Sequence, residues 1–352
     1  MRREAACRGG LFVFFVLVVS ALFPRAAWAV PQYEFVFTTA PFASAHASTV
    51  VELRNGDLLA AWFGGSAEGK PDVAIWSSRR TRDGWSAPVE LAREPGVPAW
   101  NPVLFHTRDG RLWLWYKVGP GPSSWRAARR WSDDEGATWS PIAYLPAGLL
   151  GPIRAKPLVR DDGLVVAGSS VESYNAWAAW IDRSADNGAT WRVAGPVTVP
   201  AQYVHPDPAE PRVGIIQPSI IALDAHHLRL YARPTSRIGQ VCVADSYDDG
   251  ATWTPAHPID VQNPNAAIDV VRLRDGRVVL VYDDSPTQRT PLALAVSDDG
   301  LHFRRFLTVE HDPGEYSYPA LIQTADGSLA LTYTWKRERI RFVRVPLTDV
   351  PR

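Results

Sequence analysis

The stretch Ser132-Asp-Asp-Glu-Gly-Ala-Thr-Trp139 decides the fold, because similar stretches recur along the chain. Residues 184–191 and 246–253 repeat the pattern Ser-x-Asp-x-Gly-x-Thr-Trp in full, and residues 297–303 keep its serine, aspartate and glycine. A more degenerate copy ends at Trp85. The aromatic ends of these five copies lie 50 to 62 residues apart. Such a period is typical of a chain built from repeated supersecondary units.

A second series of motifs alternates with the first, and each member is a tight turn followed by an apolar strand. Asn-Gly and Asp-Gly favour two-residue hairpins, because both central residues must adopt positive φ. Five of the six turns have this composition. The turns are Asn55-Gly56, Asp109-Gly110, Asp162-Gly163, Ala225-His226-His227, Asp275-Gly276 and Asp326-Gly327.

Six hairpins spaced about 50 residues apart predict six units, each with room for four short strands. We therefore predict an all-β fold, a six-bladed β-propeller of four-stranded antiparallel blades, formed as one domain by residues 30–352. A two-sheet sandwich is the alternative, but its strands need not repeat at so regular a period.

Residues 1–29 have the features of an export signal. Arginines precede an apolar run from Leu11 to Phe23, and Ala27-Trp28-Ala29 forms a small-x-small cleavage site. The run is shorter than the roughly 20 residues that a spanning helix needs, which argues against the alternative of an uncleaved anchor. We therefore expect an exported protein, periplasmic or secreted, with no membrane span after cleavage.

Composition narrows the classes of partner. The chain has 37 basic and 37 acidic residues, so a nucleic-acid partner, which requires a basic face, is not expected. Cys7 lies in the signal, and Cys242 lies in an apolar run that indicates a buried small side chain. The sequence has no metal-ligand spacing, and neither a metal nor another cofactor is expected. Nothing in it indicates an oligomeric state.

Polar residues open the predicted innermost strands, about ten positions before each turn. Because the innermost strands of a propeller surround a common channel, we expect these side chains to converge on one ligand. They are His46, Asn101, Arg154, Lys156, Gln217, Asn265, Asp269 and Tyr318.

The Ser-x-Asp-x-Gly-x-Thr-Trp repeat resembles the Asp box, or BNR repeat, of the sialidase (neuraminidase) superfamily. The resemblance extends over essentially the whole chain after the signal. Its aspartate, serine and threonine can cap a hairpin, so we interpret the repeats as structural. The resemblance implies a tyrosine nucleophile activated by a glutamate, an aspartate as acid/base, and three arginines that hold a substrate carboxylate.

Three residues of this chain match that pattern. Tyr318 stands where the family has its nucleophile, and Arg233 and Arg289 match the second and third arginines. Two positions depart from it, because His46 occupies the register of the first arginine and Gln217 that of the activating glutamate. An amide cannot accept a proton, so a strict sialidase mechanism is not expected.

The acid/base is expected on the loop that follows the second strand of the first blade, where Glu68 is preferred over Asp72. Glu172 is a weaker candidate in the third blade. Lys336, Arg337 and Arg339 are interpreted as a solvated strand edge.

These residues support a glycoside hydrolase acting on an acidic oligosaccharide or polysaccharide. Tyr318, His46 and Glu68 or Asp72 would carry the chemistry, and the substrate-binding set is Arg233, Arg289, Gln217, Asn101, Lys156 and Asn265. A polysaccharide lyase on uronic-acid chains is the second hypothesis, in which a histidine and a tyrosine exchange protons and arginines neutralise the carboxylate. A non-catalytic carbohydrate-binding propeller is the third.

Overall fold

The computed structural model describes residues 30–352, and the predicted signal peptide lies outside them. The described chain is built from β-strands, with three short 3₁₀ turns at Pro122–Ser124, Ala201–Tyr203 and Leu347–Asp349 and no α-helix within residues 30–352. Over the same range, no helix is long and apolar enough to cross a membrane.

The strands form six antiparallel units, two of which are joined by a short parallel pairing of Ala176 and Trp177 with Val213 and Gly214. This architecture confirms the predicted all-β propeller fold. In blades 1–5 the innermost strand comes first in sequence. Blade 1 contains β2 (Ser44–Glu52), β3 (Leu58–Gly65), β4 (Ala74–Thr81) and a fourth strand split into β5 (Gly84–Trp85) and β6 (Val89–Ala92); blade 2 contains β7 (Ala99–His106), β8 (Leu112–Val118), β9 (Arg126–Ser132) and β10 (Ala143–Tyr144); blade 3 contains β11 (Leu158–Val159), β12 (Val165–Glu172), β13 (Ala176–Ser184) and β14 (Arg192–Val197). Blade 4 contains β15 (Val213–Ala222), β16 (Leu228–Pro234), β17 (Gln240–Ser246) and β18 (His257–Gln262); blade 5 contains β19 (Asp269–Arg272), β20 (Val278–Asp283), β21 (Leu292–Ser297) and β22 (Arg304–Glu310); blade 6 contains β23 (Tyr316–Gln323), β24 (Leu329–Trp335), β25 (Arg339–Val345) and β1 (Gln32–Phe35).

The ring is closed by the first strand of the described chain. β1 pairs antiparallel with β25, in a register that places Gln32 opposite Arg344 and Phe35 opposite Arg341. The outermost strand of blade 6 therefore comes from the N-terminal side of blade 1. Phe35 also packs edge-on against Trp335, with 5.3 Å between ring centroids.

Apolar side chains fill the spaces between the blades. The described residues form six buried clusters, and each lies between two neighbouring blades. One of them joins blade 6 to blade 1 through Phe342, Trp62 and Val50. Six interfaces for six blades make a continuous ring in which every blade is sandwiched by two others.

The Asp boxes cap the turns that follow the third strands. Asp134 accepts hydrogen bonds from the Thr138 amide (2.8 Å) and hydroxyl (2.6 Å) and from the Ser132 hydroxyl (2.7 Å). The same bonds recur at Asp186 and Asp248. The aromatic end of each box packs against an inter-blade cluster. The repeats therefore hold the blades and lie away from the channel.

The innermost strands share a backbone irregularity. In β2, β7, β15 and β23 the pairing with the next strand shifts at a bulge. A residue with positive φ lies in each bulge: Ala47 (55°), Asn101 (37°), Gln217 (55°) and Tyr318 (51°). Asn265, just before β19, has a φ of 59°. Bulges redirect side chains, and left-handed non-glycine residues are characteristic of functional sites.

Candidate functional site

Three of the residues with positive φ, Gln217, Asn265 and Tyr318, accept hydrogen bonds from the Arg233 guanidinium group. Arg233, near the end of β16, donates from Nε to Asn265 Oδ1 (2.8 Å) and from Nη1 to Gln217 Oε1 (3.3 Å) and Tyr318 Oη (3.1 Å). Blades 4, 5 and 6 thus contribute to a single cluster at the start of the innermost strands. Arg233 is 7% exposed.

Two buried guanidinium groups in this cluster have no hydrogen-bonded anion. All the acceptors of Arg233 within residues 30–352 are uncharged. Arg154 is 1% exposed, donates to the Pro319 carbonyl and leaves its Nε without a partner in the described chain. Burying a charge is costly unless an opposite charge compensates it. The centre of the ring is therefore suited to bind an anion.

Tyr318 lies at the centre of this positive field. Its ring lies 5.5 Å from the Arg154 guanidinium carbon and 5.9 Å from those of Arg233 and Arg289. The His46 ring packs against the Tyr318 ring with 4.4 Å between centroids. The structure thus brings together four residues predicted for the site, namely Tyr318, His46, Arg233 and Arg289, together with Arg154.

His46 is buried and uncharged. Neither ring nitrogen has a hydrogen-bond partner within residues 30–352. Burial, and then the positive charges of four nearby guanidinium groups, hold the pKa of the imidazole well below its ordinary range. These groups belong to Arg337, Arg289, Arg154 and Arg233. A shift in this direction favours the neutral imidazole over the charged ring.

Two carboxyl groups near Arg233 are buried as well. Both oxygens of Asp283, at the end of β20, lack a hydrogen-bond partner in the described chain, and so does Oε1 of Glu172. Burial raises the pKa of Asp283 well above its ordinary range and also raises that of Glu172, although the charge of Arg233 opposes both shifts. Neither group hydrogen-bonds Arg233, so neither serves as its counter-ion in this structure.

A row of alternating charges borders the cluster. Glu315 accepts hydrogen bonds from Arg289 Nη1 (2.8 Å) and Arg337 Nε (2.7 Å), and Arg337 also pairs with Glu68. Burial alone would raise the pKa of Glu315, but the hydrogen bond from Arg337 and the charge of Arg289 lower it overall. The sequence interpretation of Arg337 as part of a solvated edge missed this row.

The remaining predicted residues lie around the cluster. Lys156 donates to Asp269 Oδ2 (2.9 Å), which directs its ammonium group to a buried carboxylate. Asp72 accepts from the Ser66 amide and hydroxyl, both at 2.8 Å, and so fastens the loop that carries Glu68. Asn101 is buried at the corresponding bulge of blade 2 and makes no side-chain hydrogen bond within residues 30–352.

One aromatic residue flanks the site directly. Trp177 is buried, and its ring lies 5.8 Å from the Arg233 guanidinium carbon and 5.2 Å from that of Arg212. Trp62 belongs to the apolar core, where it stacks on Phe37. The part of the chain that the structure describes has no group of three or more side chains placed to hold a metal ion. Burial raises the pKa of the Cys242 thiol to about 12, which leaves it unreactive.

The family model of the BNR repeat-like domain matches residues 56–331, which is most of the chain. The chain belongs to the BNR repeat-like family. Its fold is shared by solved sialidase structures at 11–18% identity. No protein with a curated description matched the sequence.

Solved structures share the BNR propeller at low sequence identity. The NanB sialidase of Streptococcus pneumoniae superposes with a TM-score of 0.71 at 11% identity, over 91% of this chain and 71% of that one. The intramolecular trans-sialidase of Ruminococcus gnavus superposes with a TM-score of 0.68 at 13% identity, over 90% of this chain and 97% of that one. A protein of unknown function from Dyadobacter fermentans superposes with a TM-score of 0.71 at 18% identity, over 90% of this chain and 98% of that one. Identities this low establish the fold of the BNR family and leave the chemistry to be argued from the site.

Proposed function

We propose that this protein is an exported, exo-acting glycoside hydrolase that removes a carboxylate-bearing sugar from a glycan. The observation that carries the proposal is the pair of buried guanidinium groups without an anion, Arg233 and Arg154, beside Tyr318. Arginine binds carboxylates in bidentate fashion, which makes it suited to recognise an acidic sugar. Membership in the BNR family supports a hydrolase-like or carbohydrate-binding role.

In this mechanism the substrate carboxylate binds Arg233 and Arg289 and places the anomeric carbon near Tyr318. The phenolic oxygen bonds to that carbon as the bond to the leaving oxygen breaks, and the leaving oxygen takes a proton from an acid, for which Glu68 is the candidate. Water then attacks the anomeric carbon and gives a proton to the Glu68 carboxylate, while Tyr318 departs and regains its proton from the base that took it in the first step.

The phenol needs a proton acceptor, because its ordinary pKa is near 10. Gln217 cannot serve, so His46 is the neighbouring base. The bound carboxylate would neutralise part of the positive field that depresses the pKa of His46. Substrate binding therefore makes the imidazole a stronger base at the moment when it is needed.

One observation favours a second candidate, a lyase on uronic-acid chains. The His46 and Tyr318 rings are in contact, and no carboxylate hydrogen-bonds Tyr318 within residues 30–352. In this reaction His46 removes the proton from the carbon next to the carboxylate, and Tyr318 gives a proton to the leaving oxygen. A carbon–carbon double bond forms as the glycosidic bond breaks.

Turnover of two probes separates the candidates. Purified protein and the Tyr318→Phe variant are incubated with 3′-sialyllactose and with an oligogalacturonate, and the products are analysed by chromatography and near-ultraviolet absorbance. The hydrolase proposal expects sugar release without new absorbance and loss of turnover in the variant. New absorbance on the oligogalacturonate identifies the lyase. Binding of both probes without turnover identifies a carbohydrate-binding propeller and contradicts both enzyme assignments.

A further inference from the structure

Arg337 is fixed at the edge of the cluster by its backbone. It lies in the turn between β24 and β25 with a φ of 57°. Its carbonyl accepts hydrogen bonds from the Ser44 hydroxyl and the Ala45 amide, both at 3.0 Å. Those two residues open β2 immediately before His46. The blade 6 turn is thereby attached to the strand that carries the site histidine.

The Arg337 guanidinium faces the same site as Arg289. The two side chains share Glu315, which takes Arg289 on Oε1 and Arg337 on Oε2. After burial, the charge of Arg337 is the largest influence that lowers the pKa of His46. Glu315 and Glu68 together balance the charges of Arg289 and Arg337, so removal of Glu68 from Arg337 would leave a net positive charge beside His46.

The second partner of Arg337 can be exchanged. Glu68 pairs with Arg337 Nη1 from the loop between β3 and β4. The Glu68 side chain is 34% exposed and that of Arg337 37% exposed, so this pair meets solvent. Exposed ion pairs contribute little to stability. A ligand carboxylate can therefore replace Glu68 at small cost, whereas Glu315 is additionally held by Arg289 and by the Ser317 hydroxyl (2.8 Å).

We propose that Arg337 is a carboxylate-binding residue of this site and that Glu68 occupies its outer edge until an acidic ligand displaces it. The inference rests on the proposed function and specifies how that site recognises an acid. Displacement also frees the Glu68 carboxyl from its ion pair. Once released, the Glu68 carboxylate can take up a proton from solvent and then give it to the leaving oxygen.

Binding measurements on four variants test this. The probes are N-acetylneuraminic acid and D-glucuronic acid, with their methyl esters as uncharged counterparts, and affinities are measured by titration calorimetry. Arg337→Gln should weaken binding of at least one acid about tenfold or more, the usual effect of losing a charge-assisted hydrogen bond. Arg339→Gln is the matched control, because that guanidinium lies over the Phe35 ring in the same hairpin. It should stay within about twofold of wild type.

Glu68→Gln should tighten binding of the acid several-fold, because an amide competes poorly for Arg337, and it should leave ester binding unchanged. Unchanged acid binding in Arg337→Gln, or weakened acid binding in Glu68→Gln, overturns the inference. If Arg233→Lys weakens acid binding while Arg337→Gln does not, the inference fails and the proposed function stands. If the wild-type protein does not prefer either acid over its ester, the proposed function fails.

Discussion

The His46 ring packs against the Tyr318 ring at 4.4 Å between centroids, and neither imidazole nitrogen has another partner within residues 30–352. The two side chains come from β2 and β23, which are neighbours only because the ring is closed. A neutral base beside a phenol is thus assembled from the two ends of the domain.

Replacing either ring should abolish turnover. Tyr318→Phe and His46→Ala are each expected to lower kcat/KM by about 100-fold or more, the usual contribution of a group that transfers a proton or attacks the substrate. Gln217→Ala should be milder, because the amide only positions Arg233. Steady-state kinetics on the substrate identified above provide the measurement. Wild-type turnover in Tyr318→Phe would reduce Tyr318 to a residue that lines the site.

The pH profile should report the coupling between the substrate carboxylate and His46. Activity falls as pH drops through the histidine pKa, because a protonated ring cannot accept a proton. In the free protein that pKa lies well below its ordinary value, so the acid limb of kcat/KM should fall well below pH 6.5. The acid limb of kcat, which reports the complex, should lie at higher pH. Coincident limbs would contradict the coupling.

The Asp boxes should affect stability alone. Hydrogen bonds from Thr138, first from its hydroxyl and then from its amide, lower the pKa of Asp134 to about 2. Asp134→Ala should reduce the melting temperature by about 2–4 °C and leave kcat unchanged. This stabilisation is present above the unfolded pKa, near 4, and is lost as pH falls toward 2. Asp133→Ala is the control in the same turn, since Asp133 is exposed and pairs with Arg111. A folded Asp134→Ala variant with reduced kcat would refute the structural role.

Asp269 should be a stability determinant at the centre of the ring. It accepts hydrogen bonds from Lys156, from the Ser219 hydroxyl (2.7 Å) and from the Leu321 amide (2.8 Å), and so connects blades 3, 4, 5 and 6. Asp269→Ala leaves these donors unsatisfied and should cost about 3 kcal/mol or more. Chemical denaturation measures the loss. Asp260→Ala, an exposed position in blade 4, should stay within about 0.5 kcal/mol of wild type, and equal losses would contradict the assignment.

Removal of β1 should open the ring. Deletion of residues 30–35 exposes the edge of β25 and removes the Phe35 contact with Trp335. Exposed strand edges pair with other chains, so the truncated protein should melt at lower temperature and associate in light scattering. Deletion of residues 30–31 is the control, because it leaves all four paired residues in place. A monomeric long deletion with an unchanged melting temperature would show that closure does not require β1.

The fold could be predicted because its signals are local. Each Asp box, and each Asn-Gly or Asp-Gly turn, is recognised from a few consecutive residues, because these supply the hydrogen bonds and positive φ angles that the turn needs. The number and spacing of these motifs then indicate the number of blades. Tyr318, Gln217 and Asn265 could be placed together because they occur at matching distances from such turns. The closing role of β1 has no comparable signal, since its partner β25 lies some 300 residues away.

The parts of the site that were missed depend on tertiary contacts. Arg337 follows Trp335 among other basic residues, which resembles a solvated edge, and only the contact with β2 brings it to His46. Asp283 ends an apolar strand, where a polar residue is ordinary, yet it is fully buried and lies near the charges of Arg289 and Glu315. Lys156 was expected to face the ligand, but its ammonium group donates to Asp269. Asp269 is a buried carboxylate that is contacted from neighbouring blades as well.

At the bulges of the innermost strands, the backbone conformation does not depend on which side chain is present. The positive-φ position holds alanine in β2, asparagine in β7, glutamine in β15 and tyrosine in β23, yet the backbone turns in the same way each time. The four blades therefore carry different side chains on the same backbone geometry. A lineage built on this scaffold can acquire a new substrate by a few substitutions at the rim of the channel, and the same positions are the natural starting points for redesign.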